Sequence, residues 1–203
     1  MSYVDSIARL RIVLDDTDPP IWRVVEVPLT ASLKALHEVI QAVMPFEDYH
    51  LFDFRIGERR YALPDPDWPD PKIRVAKTTR LGAALEPGVE QFSYTYDFGD
   101  NWQHTITVEA VGPADPAVAY PQFIEGNRRA PPEDVGGTMG FEEFVEAVTK
   151  PHHREHKAML AWCGGSFDPE TIPTETITER IGKLAARRTT GKAGFAKSRG
   201  LKE

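Results

Sequence analysis

Polar and apolar positions alternate in two stretches near the start of the chain. "SIARLRIVL" settles into alternation toward its end, and "IWRVVEVPL" answers it after the Asp- and Pro-rich "DDTDPP", which predicts an opening hairpin. The period then becomes helical. Leu33, Leu36, Ile40 and Val43 recur at three- and four-residue spacing behind Ser32, a residue type that caps helix N-termini. Met44-Pro45 should close this helix, because the residue before a proline resists the helical region. "HLFDFRIGERRYAL" predicts a second hairpin turning at Gly57-Glu58, while "LPDPDWPDPK" holds too many prolines for a central strand.

The clearest alternation follows. "EQFSYTYDF" places Phe92, Tyr94 and Tyr96 on one face, and the run after Gly99 places Trp102, His104, Ile106 and Val108 on one face. These strands should pair antiparallel through a turn centred on Gly99. "PQFIEG" could add a short strand. The C-terminal third is helical: Phe141, Phe144, Val145 and Val148 form a stripe, "HKAMLAW" follows, and Thr176 and Glu179 stand at capping-box spacing before "ITERIGKLAAR". Leu36, Ile40, Phe54, Tyr94, Ile106 and Phe144 are the expected core. The order ββαββ, a hairpin, then helices predicts an α+β fold, a mixed or antiparallel sheet packed against helices. Residues 1–185 should form one domain and 186–203 a basic, mobile tail.

Composition narrows the function classes. The net charge of −7 divides unevenly: residues 182–203 carry seven basic side chains and one acid, a net +6, which leaves −13 on residues 1–181. Such an acidic body repels a phosphate backbone, so nucleic-acid contact is expected only through the tail, weak, sequence-independent and salt-sensitive. No apolar run reaches the roughly 20 residues of a membrane helix, and the N-terminus lacks a secretory pattern. Cys163 is the single cysteine, which fits a reducing cytoplasm. In "AWCGG" it precedes a helix stop, where a packed thiol is commoner than a reactive one.

The candidate chemistry lies in loops. In "YDFGDNW", Asp97 and Asp100 flank Gly99, with Trp102 and His104 just beyond; a tight turn accounts for the glycine but not for the whole set. "PPEDVGG" stiffens a loop presenting Glu133 and Asp134, and Gly136-Gly137 precede a helix whose first N–H groups could hold an anion, though no lysine completes a phosphate loop. His50 precedes a strand and could line a pocket. Trp68 sits at the tip of the acidic proline-rich loop, suited to a partner contact or to folding back as a lid. His152, His153 and His156 cluster at a helix start, with 152 and 156 one turn apart, yet surface histidines of this kind are usually solvated. His37 shares a helix stripe with Leu33 and Ile40 and should be structural. The candidate ligand-binding residues are therefore His50, Trp68, Asp97, Asp100, Trp102, His104, Glu133 and Asp134, with no cofactor motif and no metal expected.

"DPPIWRVVEVP", "SLKALHEVIQAVM", "DYHLFDFRIGERRY", "YTYDFGDNWQHTITVE", "PPEDVGGTMGFEEF" and "WCGGSFDPE" occur in the order found in the plasmid pRiA4b ORF-3-like family, which the chain resembles over about residues 3 to 185. The resemblance implies a compact α+β domain, often encoded beside mobile elements, and no agreed reaction. Two departures stand out: Pro45-Phe46 replaces a common glycine-tryptophan pair, and Ala130 replaces a cysteine before "PPED". Some members carry a TnpR label, but a serine recombinase needs a serine among arginines and a basic DNA-binding helix, which this acidic body does not offer. Two readings result. The first is a non-catalytic binding module for a protein or small ligand, associated with mobile genetic elements. The second is an acid/base or metal-assisted hydrolase built on an Asp/Glu/His cluster, which requires those side chains to converge.

Overall fold

A computed structural model describes residues 5–65, 67, 69–85 and 88–198, with side chains through 191. The chain forms β1 (Ser6–Leu14), β2 (Ile21–Pro28), α1 (Leu33–Val43), β3 (Phe52–Ile56), β4 (Arg59–Ala62), β5 (Ile73–Val75), α2 (Leu81–Ala84), β6 (Gln91–Tyr96), β7 (Trp102–Pro113), β8 (Gln122–Asn127), α3 (Gly137–Thr149), α4 (His156–Trp162) and α5 (Thr174–Ser198). The fold is α+β. The strands described make one sheet in the order β5-β4-β3-β6-β7-β1-β2-β8, antiparallel throughout except where β5 runs parallel to β4. β5 and α2 follow the proline-rich loop and carry too short a pattern to read from sequence.

Alternation decides which face is buried. Ala8, Leu10, Ile12 and Leu14 of β1 are buried, while Arg9 and Arg11 lie on the opposite face and pair with Glu109 of β7. The β6–β7 register sets Phe92 opposite Ile106, Tyr94 opposite His104 and Tyr96 opposite Trp102, so the apolar rows meet on one face. α1 lays Leu33, Leu36, Ile40 and Val43 into the core, and α5 packs on α1 and β8. Ser32 caps α1 as expected, its hydroxyl accepting the Ala35 N–H at 3.1 Å. All six expected core residues are buried.

Arg23 is the polar exception inside the core. Its guanidinium donates to four carbonyls: Nε to Val43, Nη1 to Trp22 and Asn127, and Nη2 to Arg128, each at 2.8 Å. One side chain thereby ties the end of α1 to β2 and to the segment leaving β8. Burial pushes its pKa down to about 10, which leaves it charged at neutral pH.

Two local expectations change. α5 starts at Thr174, so Thr176 and Glu179 lie within its first turns and do not form a capping box. The helix also continues past residue 185 into the basic segment expected to be a tail. Along it Lys183 pairs with Glu179, and past residue 185 Arg187 pairs with Glu38 and Arg188 donates to Thr30, so these three cations contact the protein itself. Among the described residues no helix is long and apolar enough to cross a membrane.

Replacing Leu36 by Ala should destabilise the fold by about 2–5 kcal/mol, because a completely buried leucine leaves a cavity. Urea unfolding measures it; a loss below about 1 kcal/mol would mean that the α1 stripe does not pack as described.

Candidate functional site

The β6–β7 turn is built by its carboxylates more than by its glycine. Asp97 and Asn101 take the left-handed conformation, with φ of 53° and 57°, residue types that tolerate it. Gly99 does not. Its N–H donates to Asp97 Oδ1 at 2.8 Å, and a Cβ on Gly99 would meet that same oxygen at 3.2 Å. Asp97 is thus held under its own turn, almost fully buried.

The "PPEDVGG" loop packs against this turn. Gly137, with φ of 69°, brings its Cα so close that a Cβ would lie 2.8 Å from the Asp100 carbonyl oxygen, so only glycine permits the contact. Asp100 Oδ2 accepts the Gly136 N–H at 3.1 Å. The carboxylate of Asp100 therefore occupies the start of α3, where an external anion had been considered. Asp100 joins two loops.

His50 brings the acids together. Its Nε2 lies 3.0 Å from Asp134 Oδ1, 3.6 Å from Asp97 Oδ2 and 3.9 Å from Glu133 Oε2. One donor atom each from His50, Asp97 and Asp134 falls within 4.8 Å of the others. Glu133 is held from behind: its Oε1 accepts from Tyr96 OH at 2.9 Å and from the Glu47 N–H at 2.5 Å, while Oε2 is buried without a hydrogen-bond partner. Burial, and then the bond to Glu133, pushes the Tyr96 pKa up, so the phenol stays a donor. The cluster has one closed and one open side, since Asp134 is 66% exposed and His50 30%, against 9% for Asp97. Tyr49 and Leu51, the neighbours of His50, and Phe98, the neighbour of Asp97, are all exposed.

A second polar network positions the segment that carries His50. Gln41 Nε2 donates to Tyr94 OH at 3.2 Å, Tyr94 OH lies 2.8 Å from His37 Nδ1, and His37 Nε2 lies 2.7 Å from Asp48 Oδ1. The Asp48 N–H closes the ring on Gln41 Oε1 at 2.9 Å. Burial, with Lys34 nearby, pushes His37 down to about 4. The neutral ring then accepts from Tyr94 at Nδ1 and donates to Asp48 from Nε2.

The remaining candidates lie elsewhere. Trp102 and His104 are core residues: Trp102 packs edge-on against Phe141, and His104 against Phe46 and Tyr94. Neither reaches the cluster's open side. His104 Nδ1 pairs with the Trp102 carbonyl at 3.1 Å, and burial pushes its pKa down to about 4. A histidine in the apolar row of an alternating strand is more often a hydrogen-bonded core residue, and His104 is one. His156 Nδ1 bonds the Ala147 carbonyl at 2.8 Å and belongs to helix packing. Trp68 lies outside the described residues. Cys163 is half-buried and caps α4, with Gly164 and Gly165 in the left-handed region behind it, the helix stop that "AWCGG" suggested. Tyr96, Glu47, Gln41 and Asp48 escaped sequence reasoning; the one available signal was Gln41, a polar residue beside an apolar helix stripe.

Fold and geometry together define an α+β protein with a histidine-and-carboxylate cluster beside a hairpin tip. By sequence the chain belongs to the plasmid pRiA4b ORF-3-like protein family, which it matches over residues 6–176. It is similar to the uncharacterized protein y4hQ of Sinorhizobium fredii, 39% identical over 185 residues that cover 91% of this chain and 95% of that one. It is also similar in structure to MM3350 from Methanosarcina mazei Go1, a protein of unknown function. The two share 33% identity with a TM-score of 0.76, across 85% of this chain and 96% of that one.

The neutral buried histidines make stability pH-dependent. His37 and His104 have folded-state pKa values near 4 against about 6.5 when unfolded. Between these values the unfolded chain binds protons that the folded one refuses, so stability complete above pH 6.5 should be lost as pH falls toward 4. Each histidine should account for up to about 3 kcal/mol. Urea midpoints of the wild type and His104→Gln, compared across this window, should show a shallower decline in the variant.

Proposed function

We propose that this protein is a binding module organised around a divalent cation, with His50, Asp97 and Asp134 as ligands and Glu133 as the carboxylate behind them. The convergence of donor atoms within 4.8 Å carries the reading. Ligands at roughly 2.0–2.2 Å from one metal stand about 3.0–3.5 Å apart along the edges of its coordination shell, and the His50–Asp134 and His50–Asp97 distances approach that spacing. One imidazole with carboxylate oxygens and no thiolate suits Zn²⁺ or Mn²⁺. Tyr96, donating to Glu133, supplies the supporting bond that metal carboxylates commonly receive. The family's plasmid-derived name supports a setting among mobile elements, and the basic C-terminal segment supports weak, salt-sensitive nucleic-acid contact.

Metal-assisted hydrolysis is the second reading, favoured by the open side at Asp134. A cation held by His50, Asp97 and Asp134 would supply Lewis-acid activation of water on the exposed side at Asp134.

Metal-stripped protein titrated with Mn²⁺, followed by electron paramagnetic resonance, should bind one equivalent. His50→Ala and Asp134→Asn should each weaken binding at least tenfold. Asp100→Asn should keep the affinity and lose about 1 kcal/mol of stability, as for loss of a helix cap. Binding indifferent to His50→Ala would overturn the site. Turnover of p-nitrophenyl phosphate or p-nitrophenyl acetate by the loaded protein, absent in His50→Ala, would select the hydrolase over the binding module.

A further inference from the structure

On another part of the molecule α1, α2 and α5 wall a groove of about 840 Å³ that shares no residue with the His50 cluster. Its floor is apolar, built from Val27, Leu29, Ala35, Val39, Ala83 and Leu184, and Gly191 leaves one end of the α5 wall without a side chain. Three arginines stand at its margin. Arg187 pairs with Glu38, but Arg80 and Arg188 have no carboxylate within ion-pair distance among the described residues. Both turn toward Thr30 instead: Arg80 Nη1 donates to its carbonyl at 3.1 Å, and Arg188 Nη2 to its hydroxyl. Two guanidinium groups therefore converge on one residue at the edge of an apolar trough. Half-burial, with Arg80 beside it, already holds the Arg188 pKa below its usual value.

Like charges brought together beside a dry surface are repulsive until an anion joins them. The volume falls in the range of small-molecule pockets, which pair an apolar lining with a few fixed polar groups. We propose that this groove binds an amphipathic carboxylate, its acyl chain along Ala35, Ala83 and Leu184 and its carboxylate between Arg80 and Arg188. Charge complementarity selects the head group and the apolar floor selects the tail. Arginine forks match a carboxylate with two parallel hydrogen bonds, whereas the surrounding body is acidic and repels anions that lack a tail to bury. A nucleic-acid backbone would meet the arginines but leave the floor wet.

The test uses the full-length protein and decanoate, with decylamine, acetate and a single-stranded oligonucleotide as comparisons, by isothermal titration calorimetry. Decanoate should saturate one site, decylamine should bind at least tenfold more weakly, and acetate should give no saturable heat. The Arg80→Ala/Arg188→Ala double variant should lose at least tenfold in decanoate affinity with its unfolding midpoint unchanged. Ala83→Phe, which fills the exposed end of the floor and keeps both arginines, should lose affinity as well. Equal binding of decanoate and decylamine, or decanoate affinity that survives the double variant, would overturn the proposal. So would an oligonucleotide that displaces decanoate, or a dimer in sedimentation whose dissociation follows Ala83→Phe.

Discussion

Residues 44–51, between α1 and β3, lie outside any sheet ladder, and the site depends on how their backbone groups are satisfied. A buried N–H without a partner costs as much as a lost hydrogen bond, so each needs an acceptor. The Phe46 N–H takes the Gln41 carbonyl, Glu47 takes Glu133, Asp48 takes the Gln41 side chain, and Tyr49 takes the Tyr96 hydroxyl. From the far side Arg180 of α5 donates to the Phe46 carbonyl at 2.6 Å and to Glu47 at 2.5 Å. Four elements thus contribute to one irregular segment, and that segment delivers His50 to the acids.

The same atoms link the segment's support to the His50 cluster. Glu133 and Tyr96 accept backbone N–H groups from the segment while bonding one another, so the carboxylate behind His50 is placed by the fold itself. Behind that layer the His37–Asp48 bond and the Gln41–Tyr94 bond form a closed ring that runs from the core to exposed Asp48, and Arg23 pins the end of α1 from which the segment departs. Buried polar networks of this kind are stabilising only when every member is satisfied. The hairpin tip obeys a similar economy: Asp97 closes its own turn, and Asp100 holds the "PPEDVGG" loop, so a single turn serves two adjacent loops.

The two regions of interest differ in physical character. The His50 cluster is acidic and half-open, whereas the groove under α5 is apolar with cations at its edge. α5 connects them, since Arg180 braces the His50 segment and Arg188, two turns on, faces the groove.

Periodicity and turn chemistry made most of the fold legible. The alternation of β6 and β7, the stripe of α1 and the glycine stop after Cys163 are local facts, decided by which face of a strand or helix each residue occupies. The motifs "YDFGDNW" and "PPEDVGG" were recognisable as candidates for the same local reason, and they carry Asp97, Glu133 and Asp134. Which of their polar residues meet was a long-range matter. Asp100 and His104 have the same residue types as Asp97 and His50, yet one is absorbed by the Gly136 N–H and the other by the core. Only the packing of a hairpin tip against a loop more than 30 residues away, with a segment 47 residues before it clamped between them, separates the groups that meet at His50 from those that do not. The basic segment shows the same division: composition determined its charge, but whether Arg187 and Arg188 point outward or onto Glu38 and Thr30 depended on where α5 docks.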